Sequence, residues 1–322
     1  MPRPRLADVA AAAGCSTASV SLVLRGEPGP SEATRDRVLA AAEQLGYRPD
    51  RAASLLARRR SGMLGVVTDV RSTFHAELVE ELLDASARRG FDLLIGARSP
   101  ARDEERAVET LIDSRCEALL LLGTSGPAER LVALDGQVPV VAVSGRAGGV
   151  DGVRVDDERG TREATEHLLA LGHRDVVHVD GGAGEIAADR CRGYVAAMTA
   201  AGLAPRVLRG GHGEADGAAA AADLGGATAV TVFNDRAAVG LLDALVRAGV
   251  RVPADVSVAG FDDSPLARLA HVDLTTVSQD VPALVANALD LVVARLDGVR
   301  AERREVVLAP RLVVRGTTSA PP

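Results

Sequence analysis

Two patterns of apolar and polar positions divide the chain. Over residues 6–45 the apolar positions recur at helical spacing, in three short segments. From Leu64 onward, short runs of Val, Leu and Ile alternate with longer amphipathic stretches. The runs predict strands near 64–69, 92–96, 118–122 and 138–143, then near 175–179, 206–209, 228–233 and 256–260. The stretches between them predict helices near 75–89, 103–115, 160–171, 188–201, 214–224, 235–248 and 282–297. Strands that alternate with helices and show no in/out alternation belong to parallel sheets covered on both faces. Two such series predict an α/β core of two doubly wound parallel-sheet subdomains, with any ligand at the carboxyl ends of the strands.

The first 45 residues ask for a different architecture. Ala10, Gly14 and Val20 have the spacing of a helix-turn-helix. A small residue lets two helices approach, glycine takes the left-handed turn, and valine plugs the second helix onto the first. Ser16 is placed to cap the second helix. Thr17, Ala18, Ser19 and Ser21 then face outward. A third amphipathic helix follows over 31–45, with Val38, Leu39, Ala42 and Leu45 on one face. The spacing alone also fits an Ala-rich helical hairpin; the neighbouring segments favour the DNA-binding reading, an N-terminal all-α helix-turn-helix headpiece. After it, 46–61 reads as a linker, with a stop signal at Gly46-Tyr47-Arg48-Pro49-Asp50. A helix of about eight residues over 51–58 is marginal alone in water.

Charge sharpens the division. The net charge is −7, yet residues 1–60 hold ten Arg against six Asp and Glu, +4, leaving −11 for the remainder. A basic head on an acidic body suits a nucleic-acid module joined to a ligand domain. All 37 basic residues are arginine, so no lysine amine is available for Schiff-base chemistry. Cys15, Cys116 and Cys191 stand apart, without metal-ligand spacing, which predicts a reduced, cytoplasmic protein with no metal and no cofactor. No apolar run reaches membrane-spanning length, and the N-terminus lacks a signal-peptide core.

With these residues in view, the chain resembles the lactose-repressor/galactose-repressor (LacI/GalR) family of transcription regulators. The matching residues are Asp8-Val9-Ala10, Ala13-Gly14-Cys15-Ser16, Val20-Ser21 and Leu24, then Tyr47, Pro49, Ala53 and Leu56. The match continues through Gly172-His173, Asn234-Asp235, Pro253, Asp255, Ser257, Gly260-Phe261-Asp262 and Arg315-Gly316, over essentially the whole chain. The resemblance implies a periplasmic-binding-protein-like core crossed three times by the chain, near 158, 280 and 309. The domains expected are 1–45 for DNA binding, 46–61 for a hinge helix, 62–158 with 280–308, and 159–279 with 309–322.

The resemblance also implies roles for single residues. Base contacts fall to Thr17, Ala18 and Leu22, and phosphate contacts to Ser16, Ser19, Ser21, Arg25, Thr34 and Arg35. Leu56 matches a leucine that wedges between base pairs in the minor groove; Leu55 and Leu56 packing into the core remains open. Asp50 stands where the family usually has Asn. Leu22 stands where it often has Arg, so guanine recognition by a guanidinium fork is replaced by apolar contact, or Leu22 packs at the helix edge. Effector contacts map onto Phe74, Arg190, Asn234 and Asp262, and Ser144 replaces a carboxylate that some sugar-responsive members carry. His75 borders the expected pocket entrance. His173 lies near a helix C-terminus, where an imidazole donor suits exposed carbonyls.

Enzyme readings fare worse. Gly182, Gly184 and Ala187 spell a degenerate dinucleotide fingerprint, but no acidic residue ends a strand about twenty positions on. No phosphate loop and no nucleophile elbow occurs. The expectation is a non-enzymatic, cytoplasmic, effector-controlled regulator, acting as a homodimer, most simply a repressor, on a near-palindromic operator in double-stranded DNA.

Overall fold

The computed structural model describes residues 4–24, 26–47, 60–124, 126–299 and 302–322. The chain divides into two units, Met1–Ser61 and Gly62–Pro322. In the first unit α1 (Leu6–Ala13), α2 (Thr17–Leu24) and α3 (Glu32–Gln44) form a small bundle. Gly14 ends α1 at φ 64°, its N–H directed to the carbonyls of Ala10 and Ala11, a left-handed cap that a Cβ disfavours. The chain bends by 102° between α1 and α2, within the range of helix-turn-helix motifs. Ser16 Oγ accepts from the Ser19 amide at 3.1 Å, as expected of an N-cap. Val9, Ala10, Val20 and Val38 close the core, and Arg37 Nε donates to the Ala13 carbonyl at 3.2 Å.

The buried face of α3 differs from the one expected. Leu39 and Leu45 are exposed at 49% and 38%, while Val38, Ala41 and Ala42 are buried. Helix α1 presents Ala10 and Ala13 to this core, so the close approach favours alanine and turns the larger leucines outward. Of the expected linker over 46–61, residues 48–59, which include Leu56 and the hinge helix, lie outside the described residues, as does Arg25.

In the second unit the strands are β1 (Met63–Asp69), β2 (Asp92–Arg98), β3 (Ala118–Leu122), β4 (Val140–Val143), β5 (Asp151–Val155), β6 (Val176–Val179), β7 (Arg206–Leu208), β8 (Ala229–Val232), β9 (Ser257–Ala259), β10 (Thr276–Ser278), β11 (Glu305–Leu308) and β12 (Arg311–Val313). The helices are α4 (Thr73–Arg88), α5 (Glu104–Asp113), α6 (Ala128–Asp135), α7 (Asp157–Ala170), α8 (Glu185–Ala200), α9 (Glu214–Ala220), α10 (Asp235–Arg247) and α11 (Val281–Leu296). A six-stranded parallel sheet runs β11-β5-β4-β3-β1-β2, and a four-stranded parallel sheet runs β7-β6-β8-β9. A two-stranded antiparallel ribbon pairs β10 with β12.

Both large sheets are covered on two faces, which is why their strands read as unbroken apolar runs. Leu78 and Leu82 of α4, with Leu284 and Leu289 of α11, cover one face of the first sheet. Leu111 of α5 and Leu131 of α6 cover the other. The second sheet packs Leu241 and Leu245 of α10 on one face. Leu168 of α7, with Tyr194 and Met198 of α8, packs on the other.

The helices on the second sheet approach one another closely, and glycines permit it. A Cβ on Gly193 of α8 would stand 2.0 Å from the Glu158 carbonyl oxygen of α7. One on Gly217 of α9 would stand 1.8 Å from the Ala237 carbonyl oxygen of α10. Backbone oxygens cannot step aside as a flexible side chain would, so an added methyl must part the helices. Gly193→Ala is expected to cost about 3 kcal/mol, the upper part of the usual overpacking range. That lowers the melting midpoint by about 10 °C for a unit of this size. A midpoint equal to that of the parent chain in a circular-dichroism melt would contradict this packing.

Five elements escape the pattern of the sequence: β5, β10, β11, β12 and α6. Asp151-Gly152 has turn chemistry, yet Asp151 is fully buried at the start of β5. There it accepts from Arg295 Nη1 at 2.9 Å and the Arg304 amide at 2.8 Å. Such partners, about 150 residues away, leave no local signal.

Candidate functional site

The carboxyl ends of β8 and β9 bring three of the four expected effector residues together. Phe233 and Asn234 follow β8, and Phe261 and Asp262 follow β9. Arg190, on the second turn of α8, reaches both. Its guanidinium carbon lies 3.5 Å from the Phe261 ring centroid and 4.7 Å from that of Phe233. Nε donates to Asp157 Oδ1 at 2.8 Å and Nη1 donates to the Phe233 carbonyl at 2.5 Å. Nη1 also stands 3.7 Å from Asp262 Oδ1. Asp262 is held in turn by Gln279 Nε2, which donates at 2.7 Å. Cation–π stacking and charge-assisted bonds together fix the guanidinium plane.

Asn234 has a second task. Its Oδ1 accepts from the Ala237 amide at 2.8 Å, capping α10, and its Nδ2 donates to the His212 carbonyl at 3.2 Å. Phe74 stands apart: it is buried among Leu78, Leu82 and Leu120 in the core of the first sheet. A groove of about 960 Å³ passes Asp262, Asp263 and Arg268 toward α4 and the start of α11. Of the four expected residues, Asp262 alone lines it. Phe261 lies in the matched Gly260-Phe261-Asp262 but had no role assigned to it, and Asp157 and Gln279 carry no motif; an acidic residue at a helix start reads simply as a favourable dipole partner.

Buried carboxylates outnumber the cation. Burial raises the pKa of Asp157 against the pull of Arg190. Asp235, fully buried, accepts from the Ser264 amide at 2.7 Å and from Thr276 Oγ1 at 2.5 Å. Burial still pushes its pKa up to about 7. Burial pushes Asp262 up to about 8, with Arg190 opposing and Asp235 reinforcing. A carboxyl whose folded pKa exceeds its unfolded one contributes stability below the unfolded value and loses it as pH rises through the folded value. Asp262 therefore costs stability from the ordinary 3.8 up to about 8. Asp262→Asn keeps an oxygen for Gln279 and removes the charge. The variant is expected to lose less melting midpoint than the parent between about pH 6 and about pH 9. Parallel pH profiles would contradict this.

One histidine is not placed as expected. His173 bonds Thr228 Oγ1 at 2.8 Å through Nδ1 and the Ser319 carbonyl at 2.9 Å through Nε2, instead of helix-terminal carbonyls. Packing of the C-terminal segment on this ring displaces the helix-end role. His75 is buried, its Nδ1 accepting from the Asp69 amide at 3.2 Å; burial and Arg98 lower its pKa to about 4. Ser144, at φ 54° after β4, has a buried hydroxyl with no hydrogen-bond partner among the described residues.

In the first unit, Thr17 and Ala18 are exposed, and Ser19, Ser21 and Leu22 are half-buried on α2. Ser16 and Ser19 hydroxyls pair at 2.9 Å at the start of α2, and Ser31 and Thr34 hydroxyls pair at 3.0 Å at the start of α3. Arg35 Nη2 donates to the Glu27 carbonyl at 3.2 Å. Leu22 Cδ1 leans on the following loop, 3.6 Å from where a Gly29 Cβ would stand. Among the described residues, no single helix is long and apolar enough to cross a membrane.

This chain is similar to known proteins over its whole length. Residues 5–50 match the model of bacterial regulatory proteins of the lacI family, and 165–318 match a periplasmic binding protein-like domain. The HTH-type transcriptional regulator reg1 of Streptomyces lividans is 34% identical, over 99% of this chain and 97% of that protein. The structure of the transcriptional regulator CelR–cellobiose complex matches with TM-score 0.72 and 31% identity, over 98% of this chain and all of that one (100%). The lac repressor dimer bound to operator and an anti-inducer matches with TM-score 0.87 and 28% identity, over 99% and 100%.

Proposed function

The chain belongs to the LacI/GalR family of DNA-binding transcription regulators, and we propose that it is a repressor governed by a small polar effector, a sugar or sugar derivative. The observation that carries this is the buried cluster of Arg190, Asp262 and Asp157 at the carboxyl ends of one parallel sheet, bedded on Phe233 and Phe261. Sugar hydroxyls donate and accept at once. A guanidinium and a carboxyl fixed side by side meet both needs, and the neighbouring aromatic rings exclude water. Arg190 Nη2 makes no hydrogen bond to the described residues, which leaves a donor for the ligand. Phe74 and Asn234 complete the proposed contact set. The cellobiose complex of a relative supports the ligand class.

On DNA, two copies of the chain hold the two half-sites of a near-palindrome, as a two-fold dimer imposes; the operator-bound dimer of a relative supports this arrangement. In our reading Thr17, Ala18 and Leu22 meet base edges. Ser16, Ser19, Ser21, Arg25, Thr34 and Arg35 meet phosphate, and Leu56 wedges the minor groove. The protein works in the cytoplasm without cofactor, metal or catalytic residue. Effector closing on the cluster shifts one sheet against the other and so the approach of the two headpieces. A reporter fused to the controlled promoter tests the sign of control: deletion of the gene raises expression from a repressor's promoter, and a fall would make the protein an activator. A thermal-shift screen of mono- and disaccharides tests the ligand class; stabilisation by nucleosides alone would replace it.

A further inference from the structure

A second pocket, of about 260 Å³, lies where the first sheet meets α7 and α8. It is lined by four arginines, Arg146 after β4, Arg154 on β5, and Arg159 and Arg162 on α7. It is separate from the effector cluster although the two share their supports. Asp189 and Arg190 are consecutive, yet Arg190 turns to Asp157 and the phenylalanine rings while Asp189 lines this pocket. Likewise Asp157 bonds Arg190, and its neighbour Asp156 faces the pocket and caps α7 by accepting from the Arg159 amide at 3.1 Å.

The arginines keep donors in reserve. Arg146 uses only Nη2, which donates to both Asp189 oxygens at 3.0 and 3.1 Å. Arg154 uses Nε on Glu305 and Nη1 on the Val155 carbonyl. Arg159 uses only Nε, on Glu163, and Arg162 has an ion pair with Glu166 at 3.9 Å, beyond hydrogen-bond length. Among the described residues, the remaining N–H groups of all four make no hydrogen bond. Three carboxylates also line the pocket, and each is engaged. Asp156 caps the helix, Glu158 accepts from Arg192 Nε at 3.1 Å, and Asp189 is shared by Arg146 and Arg192.

We infer that this pocket binds a phosphate-bearing small anion of the pyrophosphate kind, as a second ligand distinct from the effector. Guanidinium forks match phosphate oxygens two at a time, and one such anion carries enough acceptors for the spare donors of four arginines. Bound there, it bridges Arg146 and Arg154, which belong to the first sheet, to Arg159 and Arg162, which belong to a helix of the second. It thereby restrains the same relative motion that the effector drives.

The test is calorimetric titration of the full chain with inorganic pyrophosphate at constant ionic strength. Saturable binding at millimolar concentration or below is expected. Arg159→Gln/Arg162→Gln should weaken it at least about tenfold, as should Arg146→Gln. These side chains are 47%, 44% and 45% exposed, so the fold tolerates the changes. Arg247→Gln, on the exposed surface of α10, should leave binding unchanged. No saturable heat, or equal affinity in all four proteins, would overturn the inference. Neither readout involves operator or sugar, so the outcome is independent of the function proposed above.

Discussion

Arg190→Ala is expected to abolish the response of operator binding to effector while operator affinity itself persists. The guanidinium stands at the centre of the cluster, so its loss removes the donors proposed for the ligand and leaves Asp157 buried without its cation. Breaking a buried pair from one side costs about 3–5 kcal/mol. A lower melting midpoint is therefore expected alongside the lost response, and the two effects must be separated. The double variant Arg190→Ala/Asp157→Ala removes the orphaned carboxylate as well. It is expected to regain most of the stability and none of the effector response. Operator affinity measured by fluorescence anisotropy with and without sugar, beside a melt, reads both. A double variant that responds fully to effector would place the ligand elsewhere.

Operator affinity is expected to fall steeply with salt, from a headpiece that is +4 over residues 1–60 against a remainder of −11. Each phosphate met by arginine releases condensed counterions. With Arg25 and Arg35 from each of two protomers, the slope of log affinity against log salt is about −4. The resemblance also sets the arginine run Arg58-Arg59-Arg60 at the end of the linker beside phosphate; with these added the slope approaches about −9. Between about 50 and about 200 mM salt the affinity then falls by about 10² to 10⁵. The hydroxyls proposed to meet phosphate, those of Ser16, Ser19, Ser21 and Thr34, are uncharged and are expected to add nothing to that slope. A flat salt profile for the specific complex would contradict this assignment of charge.

What could be read from the sequence was what local chemistry determines. Ala10, Gly14 and Val20 marked the helix-turn-helix because a left-handed turn and a close helix contact each need one residue type at one place. The apolar runs of β3, β4, β6 and β8 marked parallel strands because both faces of each are covered. Asn234 and Asp262 could be placed from family motifs at strand ends, and Arg190, on a helix, only from the family's contact pattern; their role toward an effector remains a proposal. Asp157 and Gln279, which hold the cluster in place, could not be placed at all, and Phe261 stood in a motif without its stacking role. Asp157 and Arg190 are 33 positions apart, and Gln279 and Asp262 are 17 apart, so only the folded sheet reveals their partnership. The outward turn of Leu39 and Leu45 was hidden for a related reason. Periodicity identifies a face but not the size of residue its neighbour accepts.

One small molecule in the core and one DNA site on the headpiece are expected to share a coupling free energy. The direct measurement is operator affinity of the full-length parent chain, titrated with the sugar that most stabilises it, and sugar affinity with and without saturating operator. A saturable change of about 5- to 150-fold in operator affinity is expected, with the same factor in sugar affinity, because coupling is reciprocal. Operator affinity that stays constant while the sugar demonstrably saturates its site would contradict it.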